Sequence, residues 1–273
     1  LIRMDVLGVK TTTLAALKRG CHVLCEKPLA DTMSNARKML AAAKAAGRTL
    51  AIMQNRRFDA NIARARAFIE SGALGAITTV HSQFFIGAHF GGFRDRMAHV
   101  LILDMAIHTF DAARFLMGAN PRTVYAHEWN PAGSWYDRDA SAVAVFEMTG
   151  GSVYTYQGSL CSEGHNTKWE SSWRIIGTKG TLLWDGGTGF AAETVAKTGG
   201  FRSEMTPSAV PEFAPGPRQG GHAGLLNDFI ECLKTGRTPE TAAADNIHSL
   251  AMVHGAIRSA AAGRKVKITL PEG

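Results

Sequence analysis

Four cysteines in 273 residues, none in C-x-x-C spacing, leave no disulfide framework and no zinc knuckle to build on. Cys21 and Cys25 share one short segment and would not bridge within a strand. Together with Cys161 and Cys232 they read as reduced thiols of a cytoplasmic protein. No stretch resembles a signal peptide and no run of about 18 apolar residues occurs, so no membrane partner is expected. The most apolar stretch, 100–117, is broken by Asp104, His108, Asp111 and Arg114 and reads as a buried amphipathic helix. The formal charge of +7 is not gathered into a stripe interleaved with aromatics; the basic pairs Lys18-Arg19 and Arg56-Arg57 stand alone. That excludes nucleic acid as the expected partner and leaves a mildly basic surface suited to an anionic cofactor or substrate. Nothing before Glu26 resembles a phosphate-cradling glycine loop.

What is present is an alternation of helix and strand that changes texture after about residue 57. Leu14, Leu17 and the neighbouring alanines predict a helix stopped by Gly20. Residues 22–25 form a short apolar strand. Asp31-Thr32 can cap a helix with Met33, Ala36, Met39, Leu40 and Ala43 inside and Gly47 at its end; 49–53 is a second strand. Helix and strand alternating through short turns predicts parallel α/β packing. After a helix over 61–71, strands are predicted at 77–86, 123–128, 140–148, 152–159, 169–176 and 180–184. Gly150-Gly151 forms a hairpin turn between two of them, so this sheet is expected to be largely antiparallel. The Pro- and Gly-rich stretch 198–221 reads as a surface loop. Helices follow at 224–234, with Leu225, Leu226, Phe229, Ile230 and Leu233 inward, and after the Thr238-Pro239 cap. A last strand covers 266–270. The fold class is therefore α/β: a partial doubly wound parallel segment over 1–57, then an α+β domain with a large, mainly antiparallel sheet over 58–273. Ile52, Leu101, Ile102, Met105, Phe115, Val143, Val145, Ile175, Phe229 and Leu250 are expected in the core.

Three positions carry the chemistry. Glu26-Lys27-Pro28 follows the first strand, and in open parallel sheets ligands bind at the carboxyl ends of strands. Proline fixes the backbone after the lysine, with a cis bond as one option. Asp104 and His108 are four residues apart on one helical face, with Asp111 three further on. Polar side chains on an apolar helix need partners or a cavity. A satisfied structural histidine and a metal site are the alternatives, with His81, His89 and His99 as conceivable extra ligands, but their spacing fits no metal pattern and none is expected. Arg56 or Arg57 could hold a substrate hydroxyl or anion or be surface charge, and Glu163-Gly-His165-Asn166 could reach the cleft from a sheet edge or be a polar loop. Trp169 and Trp173 read as core. Gly187-Thr-Gly189-Phe-Ala-Ala192 imitates a dinucleotide loop, but it follows an antiparallel region and leads into strand-like residues, so it is rejected.

In order along the chain, Gly20-Cys-His-Val-Leu-Cys-Glu26-Lys27-Pro28, Gln54-Asn55-Arg56-Arg57-Phe58, Gly72-Ala-Leu-Gly75-Ala-Ile77, Asp104-x-x-x-His108-x-x-Asp111 and Asp245-Asn246-Ile247 resemble the glucose-fructose oxidoreductase / inositol dehydrogenase family (Gfo/Idh/MocA). The resemblance implies a nicotinamide-binding Rossmann domain and a sheet domain through which homo-oligomers form. It implies oxidation of a sugar or polyol carbinol with NAD or NADP, with Lys27, Asp104 and His108 as catalytic residues. Glu26, Lys27, Pro28, Gln54 and Arg57 would meet the cofactor; Lys27, Arg57, Asp104, His108 and His165 would meet the substrate. Met97-Ala-His99-Val-Leu stands where the family often has a glycine run. The family's first strand, its glycine fingerprint and its ribose-binding acid would lie upstream of Leu1. The Rossmann domain is therefore expected to lack its N-terminal part, with residues before about Gly20 poorly ordered or covered by a partner. A non-catalytic oligomerising or carbohydrate-binding partner is the alternative.

Overall fold

Residues 6–212 and 216–269 are described by a computed structural model of the chain; Leu1 and Leu270 lie outside them. Helix α1 (Val6–Lys18) stops at Gly20, whose φ of 80° suits glycine. β1 (Val23–Cys25) and β2 (Leu50–Ile52) pair in parallel, with α2 (Met33–Ala46) as the crossover. Thr32 caps α2 by accepting from the Asn35 N–H at 3.2 Å, while Asp31 takes the Asn35 side chain, and left-handed Gly47 closes the helix. α1 packs in part within the chain: Leu17 is 1% exposed, and Leu14 is half-buried.

A 3₁₀ turn (Asn55–Phe58) and α3 (Ala60–Glu70) lead into the second region. Its sheet holds β3 (Ile77–Phe85), β4 (Pro121–Trp129), β5 (Ser141–Met148), β6 (Val153–Ser159), β7 (Ser172–Gly177), β8 (Gly180–Trp184), β9 (Phe190–Lys197), β10 (Glu204–Ser208) and β11 (Val266–Lys267). The spatial order is β10-β9-β8-β7-β3-β6-β5-β4-β11. Only β3 and β6 run parallel; every other pair is antiparallel. Gly150 and Gly151, both at positive φ, make the turn between β5 and β6. The glycine-rich imitation of a dinucleotide loop is the turn between β8 and β9 together with the first residues of β9, so a strand and not a helix follows its glycines.

One face of the sheet carries the core. Rings from Phe146, Tyr154, Trp173, Trp184 and Phe190 stack in a row across the strands at centroid spacings of 5.6, 6.5, 6.2 and 5.7 Å. α4 (Ile107–Met117) drives Phe110 edge-on into Phe146 and Tyr156 at 5.0 and 5.2 Å. α5 (His222–Thr235) and α6 (Ala243–Ala262) complete the chain. α6 packs on the sheet through Ala251, Met252 and Ala256 and on the first region through Ala243, Ile247 and Leu250. The Ile52 N–H also donates to the Thr241 carbonyl at 2.9 Å, so the C-terminal part of the chain closes against β2.

Several expectations are corrected. Val143 and Val145 are 36% and 45% exposed because strand alternation gives the inner face to Ala142, Ala144 and Phe146. Phe115 and Phe229 are only partly buried. On α5 the inward face is Leu225, Asp228 and Cys232, whereas Ile230 and Leu233 point outward. α6 starts at Ala243, after the Thr238-Pro239 pair, and the loop expected over 198–221 contains β10. The last strand is two residues long.

Candidate active site

The chain enters α4 through a π-helical turn, Leu101–Ala106. Two carbonyls at this junction accept from side chains outside the helix. The Asp104 carbonyl takes Lys27 Nζ at 2.6 Å, and the Ile107 carbonyl takes Gln54 Nε2 at 3.0 Å. Such turns recur at functional sites because they re-aim side chains within a helix. Here the turn ties the ends of β1 and β2 to the helix that carries Asp104 and His108.

Lys27, joined to Pro28 by a cis peptide bond, also donates to Asp104 Oδ1 at 2.9 Å. Arg94 donates to the other carboxylate oxygen at 2.7 Å. Burial alone would raise the Asp104 carboxyl; Lys27 and Arg94 outweigh it and hold the group below the usual carboxylate range. His108 is only partly exposed, and its Nδ1 is buried with no partner among the described residues. Burial, then the charges of Arg56, Lys27 and His222, hold its pKa well below the ordinary histidine value. The ring is therefore neutral at physiological pH and able to accept a proton.

Glu26, Lys27, Arg56, His108, Trp169 and Glu170 line one cavity of about 280 Å³, with Met53, Asn55 and His222 completing it. Larger hollows lie on the outer sheet face, about 770 and 730 Å³, and between α2 and the start of α6, about 1020 Å³. None of these touches Lys27 or His108.

The remaining site expectations divide. Pro28 is buried beside Lys27 and does not line the cavity. Gln54 is fully buried and serves the helix junction. Arg57 is not in the cavity: its guanidinium grips Asp111 with two 2.7 Å hydrogen bonds and Asp245 with one of 2.8 Å. Its neighbour Arg56 takes the cavity position, because the 3₁₀ turn sends successive side chains in different directions. His165 is exposed in a loop outside the cavity lining. Trp169, expected in the core, is 49% exposed at the cavity wall, since β7 starts only at Ser172. Arg94, Glu170 and His222 carried no sequence signal. They arrive from a 3₁₀ turn, a loop and the first residue of α5, which only the folded chain brings together.

The segment standing for the family's glycine run keeps a glycine-like backbone. His99 has a φ of 57°, and its Nδ1 pairs with Glu128 Oε2 at 2.8 Å. That hydrogen bond, ahead of burial, sets the direction of its pKa, which is raised. His81, His89 and His99 bond to Thr155, Glu163 and Glu128 respectively. No group of three or more His, Cys, Asp or Glu among the described residues is arranged to hold a metal ion.

At the carboxyl ends of β1 and β2 a strand-end lysine and a neutral imidazole line one cavity, a lining that would suit the nicotinamide end of a dinucleotide. The described residues offer no glycine-rich strand-to-helix loop for the pyrophosphate.

Residues 10–54 match the oxidoreductase family with an NAD-binding Rossmann fold, and residues 62–183 match the GFO/IDH/MocA C-terminal domain. The chain is 27% identical over 281 residues to a 1,5-anhydro-D-fructose reductase of Ensifer adhaerens, covering 97% of this chain and 80% of that protein. It is 26% identical over 262 residues to an inositol 2-dehydrogenase of Saccharopolyspora erythraea, covering 95% and 73%. An oxidoreductase from Agrobacterium radiobacter, solved with NAD+, L-tartaric acid and magnesium, superposes with a TM-score of 0.82 at 25% identity, covering 98% of this chain and 79% of that one. The chain belongs to the GFO/IDH/MocA family of oxidoreductases, whose N-terminal part is an NAD-binding Rossmann fold.

Proposed function

We propose that this chain interconverts a carbinol of a sugar, polyol or related hydroxylated molecule and the corresponding carbonyl, with His108 moving the proton. The observation that carries the reading is the meeting of a neutral, unsatisfied imidazole and a carboxylate-anchored lysine in one cavity. NAD or NADP, when bound, supplies the hydride acceptor or donor. Hydride leaves a carbinol readily only as its oxygen loses a proton, so a base must lie within hydrogen-bond reach. His108 fills that role because its depressed pKa keeps it unprotonated before the reaction. Lys27 has three N–H donors, of which Asp104 takes two; the third has no partner among the described residues and can orient the substrate oxygen. Asp104 holds the ammonium in place, and Arg94 fixes Asp104. Glu26 and Arg56 complete the polar lining.

The names of the two curated relatives, one for an anhydro sugar and one for a cyclic polyol, support this substrate class and do not favour a non-catalytic partner. The test is turnover of this chain with NAD+ and NADP+ against a panel of sugars and polyols, together with Lys27→Ala. Turnover by the wild type and its loss in the variant are expected. Equal turnover by both would remove Lys27 from the mechanism.

The chain is also proposed to form homo-oligomers through the outer sheet face, in the cytoplasm. Tyr125 and Val145 are register partners on that face, and both are exposed apolar side chains beside Val143 and Trp129. Val145→Asp should convert the assembly to a smaller species in sedimentation. An unchanged sedimentation coefficient would place the interface elsewhere. The cytoplasmic setting is supported by four unpaired thiols.

A further inference from the structure

Glu170 is a charged lining residue whose placement the proton-transfer reading leaves unexplained. It sits in the loop ahead of β7, beside Trp169, with its side chain 24% exposed. Its Oε2 lies 3.1 Å from Arg56 Nε but is misaligned for a hydrogen bond. That oxygen is thus buried next to a charge without accepting a hydrogen bond from any described residue. Packed against Arg56, Oε2 is closed to a ligand; the other carboxylate oxygen, Oε1, is not buried in this way and accepts no hydrogen bond from the described residues, so it is the one left for a molecule in the cavity. Burial pushes the carboxyl up, Arg56 draws it down and Asp59 adds to the rise.

An ionised carboxylate only accepts hydrogen bonds. Whatever completes Glu170 must bring a donor, and a second carboxylate would be repelled. Lys27 and Arg56, on the same wall, only donate. A wall with acceptors and donors side by side suits hydroxyl groups, each of which both donates and accepts. The half-exposed ring of Trp169 adds an apolar surface for C–H groups. A volume of about 280 Å³ is at the small end for ligand sites and suits one compact molecule.

We propose that Glu170 is a specificity-determining residue: it accepts a hydrogen bond from a hydroxyl other than the one oxidised, and so selects neutral polyhydroxylated substrates over their carboxylate counterparts. The proposal rests on the redox reading of the same cavity and names its substrate class.

The test compares matched probes that differ by one group: D-glucose with D-glucuronate and glycerol with D-glycerate, with myo-inositol as a further neutral probe. Binding is followed by tryptophan fluorescence of the full chain in the presence of NADH, and turnover by reduction of NAD+ or NADP+. The wild type should favour the neutral member of a pair by at least about tenfold, since a like charge set against a buried carboxylate is strongly disfavoured. Glu170→Gln keeps the shape and removes the charge; it should shrink that preference to about threefold or less, chiefly through KM or Kd. Trp169→Ala, at a half-exposed position that tolerates truncation, should weaken the neutral probes without changing the preference against charge. A wild type that prefers the carboxylates or binds no neutral probe overturns the proposal, as does an undiminished preference in Glu170→Gln. Charge-selective binding without turnover would leave Glu170 its role and remove the redox reading. Turnover with a preference indifferent to Glu170 would do the reverse.

Discussion

Asp104 and Asp111 stand two helical turns apart on one continuous helix, and each is held by two cations, yet the two clusters serve opposite ends. Asp111 is 1% exposed and saturated: Arg57 grips both its oxygens, Ser249 donates to one of them at 2.6 Å, and Arg114 lies 3.7 Å away. Arg57 and Arg114 also share Asp245 of α6, at 2.8 and 2.7 Å. The cluster braces the 3₁₀ turn, α4 and α6 against one another. Burial works against the Arg57 charge, but Asp111 and Asp245 more than restore it. The Asp104 cluster is likewise a carboxylate held between two cations, Lys27 and Arg94, but it is open. Lys27 has one donor without a partner among the described residues, and the Lys27 and His108 side chains both line a cavity. Ion pairing by itself does not mark a site; unused hydrogen-bonding capacity facing a cavity does.

The largest effect that tests this contrast belongs to the brace. Arg57→Met strands a buried carboxylate and should cost about 3–5 kcal/mol of unfolding free energy, read from the shift of a denaturation midpoint. Molecules still folded should turn over nearly as before. A loss of activity without a loss of stability would move Arg57 back into the site. Asp104→Asn should behave in the opposite way. With Lys27 and Arg94 deprived of their counter-charge, kcat/KM should fall by about ten- to a hundredfold, with a smaller change in stability than Arg57→Met produces.

These contrasts also mark what could be read from the residues alone. The parallel start, the strands and the Gly150-Gly151 turn were legible because alternation and glycine placement are local. Lys27, Asp104 and His108 were legible because they sit in ordered motifs. The choice between Arg56 and Arg57 was not: adjacent residues of one type are separated only by how the 3₁₀ turn aims them. Glu170 and Arg94 belong to irregular segments with no period to read. Val143 and Val145 read as core by hydrophobicity alone, but strand parity turns them outward, and the small alanines take the inner face under the aromatic row.

A smaller, directional effect concerns pH. Activity that needs neutral His108 is present above its depressed pKa and lost as pH falls through it. Lys27→Met removes one of the charges that depress it, so in residual activity the acid limb of kcat/KM should move to higher pH. An unmoved limb would mean that His108 is not the titrating base. The smallest effect is on stability. Burial, with Arg114 nearby, lowers His248 to about 4 in the folded chain, against 6.5 in its ordinary state. The unfolded chain then binds the extra proton first, and stability should decline as pH falls from 6.5 to about 4. His248→Gln should flatten part of that decline in denaturation curves taken across this window.

The most direct measurement is turnover of His108→Ala beside the wild type, at neutral pH, with the melting temperature of each. A proton-accepting His108 predicts a fall in kcat/KM of at least about a hundredfold with little change in melting temperature. Turnover within a few-fold of the wild type from a folded variant would contradict it.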